Sequence, residues 1–310
     1  MKTVWLKSAV LAGFAVSGLT TLASGQISPN MAVPGTVNYI EGQVAVNGSD
    51  LMKSRAMAPA VLQPGQVLDT QNGKAEILLS PGVFVRVARN SGIRMVSPDL
   101  VDPRVEVTHG EAMVEVDQKL LKDARVDVVT RGLDASILKS GLYRFDGDKG
   151  LIEVIDGKLS VPENGRTKEI GKGKEFVLNG GPVPVVAGFD PKAEDDLYVW
   201  SRMRSGYMAE VNASTAESVY GGYAPYAGTG WYWSPYFASW SWLPGDGFFY
   251  SPFGYPFFSP GYIAYAPYYR GFRGGGLVAH GGVSSARSAG VAAFHGGAAG
   301  GFHGGGGGRR

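Results

Sequence analysis

The feature that most restricts the fold is a two-residue alternation of apolar side chains from Thr36 to Val186, cut at short intervals by Gly, Asn and Pro. A period of two lines one face of an extended chain with Val, Ile and Leu, whereas a helix needs a period near 3.6. Turn signals recur every ~8–12 residues, the interval of a sandwich, a barrel or a stacked-sheet solenoid. Three segments in this region resemble one another: Val37 to Val46 about Gly42, Val105 to Val114 about Gly110, and Ile152 to Val161 about Gly157. Each has a strand, a polar residue followed by glycine, and a second strand. The pattern predicts three hairpins, with glycine supplying the positive φ of a tight turn. Further strands are expected at Lys74–Leu79 and Val83–Val87 about the turn Ser80-Pro81-Gly82, and at Arg125–Val129, Ala135–Leu138, Leu142–Phe145 and Lys174–Leu178. Only Val116 to Lys122 hints at a helix inside this region.

Several of these residues carry a resemblance. The strand–Gly42–strand opening is followed by Leu62-Gln-Pro-Gly65-Gln-Val-Leu68-Asp-Thr70, then Asn72-Gly73-Lys-Ala-Glu-Ile-Leu-Leu79 and Pro81-Gly82-Val-Phe-Val-Arg86. With Val105 to Val116, Gly141-Leu-Tyr143-Arg-Phe145 and the closing Ile152 to Val161, the region 36–186 resembles the FecR domain of Gram-negative cell envelopes. The resemblance spans about half the chain and implies a periplasmic, antiparallel β-sandwich, β-roll or short solenoid. It also implies a second role, as a signal-sensing component related to the regulators that pass an outer-membrane iron-uptake signal to a sigma factor. Those regulators carry a cytoplasmic anti-sigma segment, and here only Met1 to Lys7 precedes the first apolar run.

That apolar run, Ser8 to Ala23, is uncharged, follows Lys2 and Lys7, and ends in Ala23-Ser24-Gly25. A basic start, a short apolar stretch and small residues at the cleavage position read as a signal peptide over 1–25. At ~16 residues the run is shorter than the ~20 that a spanning helix needs. The expectation is an exported protein, periplasmic or in the outer envelope. Cysteine is absent from all 310 residues, so disulfides, thiolate zinc sites and cysteine nucleophiles are excluded. Beyond residue 25 the basic and acidic residues balance, and the five arginines of 270–310 leave the body from Gln26 to Tyr269 at a net −5. No basic domain for nucleic acid is present.

Past the β-region, 190–213 is expected to form one amphipathic helix. Asp190-Pro191 suits a helix start, Glu194, Asp195 and Asp196 suit the positive end of the dipole, and Leu197, Trp200, Met203, Tyr207 and Val211 make an apolar stripe. The acidic trio fits dipole compensation better than a metal site.

The segment 220–272 holds 22 Tyr, Trp or Phe and only two charges, Asp246 and Arg270. Proline and glycine interrupt it too often for a continuous helix or a central strand, so a largely irregular tail is expected. An eight-residue repeat recurs as Phe249-Tyr250-Ser-Pro-Phe253 and Phe257-Phe258-Ser-Pro-Gly261. So much aromatic surface must fold back on the β-domain or meet a partner. The partner would be an envelope protein, a cell-wall or polysaccharide component, or a second copy through 220–272. From 273 to 310 the chain is Gly-rich, with His280, His295 and His303 unaccompanied by carboxylates, and is expected to be disordered.

A search for catalysis finds no candidate. His109 stands alone at an expected hairpin turn, no serine lies in a Gly-x-Ser-x-Gly elbow, and Gly171-Lys-Gly173-Lys lacks the frame of a phosphate loop. Asp146-Gly-Asp148-Lys-Gly150 lacks the later ligands of a calcium loop. No catalytic, cofactor-binding or metal-ligating residue is assigned, and no enzyme activity or cofactor is expected. The sequence therefore points to a mainly β, exported envelope protein with a binding or structural role.

Overall fold

In the computed structural model, residues 32–51, 59–117, 124–163, 165–178, 185–191 and 193–265 are described. The signal peptide, the Gly-rich tail from 273, residues 266–272 of the aromatic segment and most of the helical hint at 116–122 lie outside the described residues.

Among the described residues, seventeen strands precede the helix. They are β1 (Thr36–Glu41), β2 (Val44–Val46), β3 (Ser49–Asp50), β4 (Val67–Thr70), β5 (Lys74–Ser80), β6 (Val83–Val87), β7 (Ser91–Ser97), β8 (Arg104–His109) and β9 (Glu111–Val116). There follow β10 (Val126–Thr130), β11 (Leu133–Ile137), β12 (Gly141–Asp146), β13 (Leu151–Asp156), β14 (Lys158–Glu163), β15 (Arg166–Gly171), β16 (Lys174–Val177) and β17 (Val185–Gly188). One sheet runs β1-β5-β6-β9-β12-β13-β16-β17, and the other runs β15-β14-β11-β10-β8-β7-β4-β2-β3. All pairings within them are antiparallel except β8 with β10. The apolar alternates of both sheets meet in one core, with Ile77, Val85, Val114, Tyr143 and Phe145 from the first against Leu68, Ile93, Val107, Val128 and Leu159 from the second. The mainly β, antiparallel fold class is as expected, and its form is two facing sheets.

The three glycine units correct one expectation. Gly42, Gly110 and Gly157 do have positive φ, at 68°, 64° and 93°, but none closes a hairpin. β1 pairs with β5 while β2 pairs with β3 and β4. β8 and β9 lie in different sheets, as do β13 and β14. These glycines turn the chain out of one sheet and into the other. The space is as restrictive as the angle: a Cβ on Gly157 would run into the Tyr143 phenol and the Ser140 carbonyl. His109 ends β8, and the left-handed conformation falls on Gly110 beside it. The turn at Ser80-Pro81-Gly82 does join a paired hairpin, β5 with β6.

The helix α1 runs over Asp196–Tyr220, later at both ends than the expected 190–213. Asp190-Pro191 makes a turn in which the Ala193 amide donates to the Asp190 carbonyl at 3.1 Å, and Asp195 is the cap, its Oδ1 accepting from the Tyr198 amide at 2.7 Å. At the other end Gly222 takes φ 76°. Tyr223 donates back to Ser218 and Gly222 to Val219, a Schellman closure. The buried face keeps Leu197, Trp200 and Val211 of the expected stripe but is wider than it. Met203 is 60% exposed, whereas Ser201, Arg204, Ser205 and Asn212 are buried with Leu197, Trp200 and Met208.

Residues 230–258 carry more regular structure than their proline and glycine content suggests. They form two hairpins, β18 (Gly230–Ser234) with β19 (Ser239–Leu243) and β20 (Phe248–Tyr250) with β21 (Pro256–Phe258), followed by the single turn α2 (Pro260–Ile263). The two copies of the eight-residue repeat pair with each other, Phe249 opposite Phe257 and Phe248 opposite Phe258.

Candidate functional site

The outer face of the first sheet is covered by α1 and the two hairpins. Leu78 and Phe84 pack there with Met208, Trp231, Trp240, Trp242 and Phe257, while Met113, Leu142 and Ile155 meet Leu197 and Trp200. The Phe84 and Trp231 rings meet edge to face at 5.2 Å. Two asparagines fasten the layers. Asn38 of β1 accepts from the Trp240 amide at 3.0 Å. Asn212 of α1 donates to the Trp242 and Phe258 carbonyls at 2.8 and 3.0 Å and accepts from the Phe258 amide at 2.7 Å.

Inside this covered face lies a cluster of buried charges. Arg86, on the strand between β5 and β9, donates from Nε to Glu76 at 3.0 Å and from Nη1 to Glu115. Arg204 of α1 donates to the other Glu76 oxygen at 2.8 Å, Asn38 joins it at 3.0 Å, and Ser205 donates to Glu115 at 2.6 Å. Glu76, Arg86 and Glu115 are fully buried. Burial works to raise the Glu76 pKa, but Arg204 and then Arg86 overcome it and hold the carboxyl below its usual value. Asp117 is the odd member. It is buried, and among the described residues neither of its carboxyl oxygens has a donor. Burial, and after it the charge of Glu115, push its pKa well above the usual carboxylate range.

The acidic trio at the start of α1 is fully engaged by bases. Glu194 pairs with Arg202 at 2.5 Å, Asp195 with Arg144 at 2.8 Å and Asp196 with Lys74 at 2.8 Å. His109 is half-exposed, with Asp69 at 3.7 Å and the Thr108 hydroxyl at 3.2 Å. Asp146 accepts from the amides of Asp148 and Lys149, which is a turn. Sequence reasoning passed over Glu76, Arg86, Glu115, Asp117 and Arg204. Their signal was present in Val83-Phe84-Val85-Arg86-Val87, where Phe84 and Arg86 share the face opposite the core, an odd pairing for a surface in water.

The surface presented outward is aromatic. Tyr220, Tyr223, Tyr226, Trp233, Tyr236, Phe248, Tyr250, Tyr262 and Tyr265 are each exposed. Phe248 lies 5.6 Å from Tyr250 and 5.8 Å from Tyr262, ring centre to ring centre, which makes a continuous patch. Beneath it Phe248 packs on Phe258, and Phe258 on α1.

No protein-family model and no curated protein matches the chain. Two crystal structures of a provisionally assigned anti-sigma factor from Parabacteroides distasonis are similar to it. One is 16% identical with a TM-score of 0.36, covering 48% of this chain and 71% of that one. The other is 16% identical with a TM-score of 0.34, covering 44% and 63%. A likeness at that level transfers neither a function nor a partner.

Proposed function

We propose that this is an exported, non-catalytic binding protein of a Gram-negative cell envelope, which meets its partner through the aromatic face of residues 220–265. The carrying observation is the patch of Phe248, Tyr250 and Tyr262, exposed yet held on hairpins that are pinned to α1 and the sandwich. Aromatic rings in fixed positions offer large contact area at little cost in side-chain entropy. The only charge in 220–265 is Asp246, so the partner is bound by stacking and hydrogen bonds and not by ion pairing. An envelope protein or a wall polysaccharide supplies such a surface. The export segment supports the location, and no helix among the described residues is long and apolar enough to cross a membrane.

Cell fractionation of the wild type beside the triple variant Phe248→Ser, Tyr250→Ser, Tyr262→Ser tests this. The expected result is a wild type that sediments with the envelope and a folded variant that stays in the soluble periplasmic fraction. Equal distribution of the two would reject the aromatic face as the contact, and retention of both in the cytoplasm would reject export.

A further inference from the structure

We propose that α1 and the two aromatic hairpins form a cap held on the sandwich by a proton-dependent catch, in which a proton on Asp117 keeps the buried interface electrically balanced. The sandwich closes its core with residues of its own two sheets, and no residue of α1 belongs to that core. The cap is therefore a separate layer, and its seat is unusually charged. Glu76 comes from β5, Arg86 from β6, Glu115 from the end of β9, Asp117 from the position just past it, and Arg204 and Ser205 from α1. Tyr255, in the turn between β20 and β21, packs against Gly206, and its phenol is raised by burial first, with Arg202 opposing and Glu115 adding to it.

Two guanidinium groups face three carboxyls. Glu76 is satisfied by Arg86, Arg204 and Asn38, and Glu115 by Arg86 and Ser205. Among the described residues nothing donates to the Asp117 carboxyl. If Asp117 is ionised, the cluster holds one uncompensated negative charge and two buried, unpaired oxygens, a combination that costs several kcal/mol in general. If it is protonated, its hydroxyl can donate to Glu115, and two cations balance two anions. Burial and Glu115 both favour the protonated form. A raised folded-state value means the closed cap is favoured fully below the unfolded aspartate value, about 3.9. That favour is lost as pH rises through the folded value. A charged seat between separately formed layers is also where opening should begin.

Hydrogen exchange followed by mass spectrometry on the full chain between pH 5 and pH 9 tests the catch. The α1 peptide 197–213 has the same sequence in wild type and in Asp117→Asn, so intrinsic exchange cancels in their ratio. Peptide 126–137, covering β10 and β11 in the far sheet, reports global unfolding. The expected result is that α1 protection in the wild type falls by up to about tenfold per pH unit while Asp117 is protonated in the closed cap and ionised in the open one, levelling off once it ionises in the closed cap as well, that it does not fall in Asp117→Asn, and that 126–137 stays protected in both. A flat wild-type profile would overturn the proposal. So would the same pH dependence in Asp117→Asn, or loss of protection in 126–137 in step with α1. Asp117→Ser serves in the same comparison if the asparagine variant does not fold.

Discussion

Arg86 holds the two carboxylates through which the sheet meets α1. It stands directly across from Glu76 on β5 and diagonally from Glu115 on β9, so its guanidinium spans three adjacent strands. Cross-strand pairs of opposite charge are worth only about 0.2–1 kcal/mol at an exposed surface. Buried, the arithmetic changes, because removing one partner strands the others. Arg86→Met should therefore lower stability by roughly 3–5 kcal/mol, read from chemical denaturation, even though methionine fits an apolar seat. Asp117 should behave in the opposite way. Asp117→Asn keeps the shape and removes the ionisation, so the variant should match the wild type near pH 4 and exceed it by a margin that grows with pH. The sign follows from a pKa held above the ordinary value in the fold. Thermal melts across that range check it, and a margin that shrinks with rising pH would contradict the protonated assignment.

At the scale of elements, Asn212 does for the cap what Arg86 does for the sheet. One buried amide side chain serves both hairpins, through Trp242 on β19 and Phe258 on β21. Asn212→Ala removes three buried hydrogen bonds, to the Trp242 carbonyl and to the Phe258 carbonyl and amide, each worth about 0.5–1.5 kcal/mol. The expected outcome is a loss of about 2–4 kcal/mol together with faster exchange in 230–258, while β10 and β11 exchange as before. Nothing in the sequence marks Asn212 for this role, because its partners are backbone atoms 30 and 46 residues away. The strands were readable, since alternation of Val, Ile and Leu is a local consequence of the pleat. Their connections were not. A glycine with positive φ serves a hairpin or a corner between sheets equally well, and what decides is whether the second strand pairs with the first or with a distant one. The helix ends illustrate the same division. The expected end at 213 falls short of Tyr220 because past Val211 the buried face is Asn212, Ala213, Thr215 and Ala216, small or polar residues that look like a solvent-facing surface.

For the whole molecule, the misleading signal was polarity itself. In a sheet with one wet face, the residues alternating with the core are expected to meet water. Here Glu76, Arg86 and Glu115 occupy those positions and are buried, because α1 brings Arg204 and Ser205 to them and the hairpins exclude solvent. A charge cluster of this kind becomes visible only once the partner strands and the helix are placed together, so the candidate site was hidden although the fold class and the aromatic segment were not. The arrangement also assigns the aromatic segment two faces with different duties. Trp231, Trp240, Trp242 and Phe257 point inward and seal the sheet, while Phe248, Tyr250 and Tyr262 point outward. Truncation and surface substitution should accordingly part company. A chain stopped after Tyr220 keeps α1 but uncovers Leu78, Phe84 and Met208 on the same face as the buried charges. Exposing large apolar side chains beside a half-dismantled ion cluster promotes association between copies. The expected product binds a hydrophobic dye and elutes as oligomers from a sizing column. The triple variant at 248, 250 and 262 should elute with the wild type and melt within about 1 kcal/mol of it. If the truncated chain were monomeric and dye-silent, the hairpins would not be the seal that their buried tryptophans make them, and the aromatic segment would serve its outward face alone.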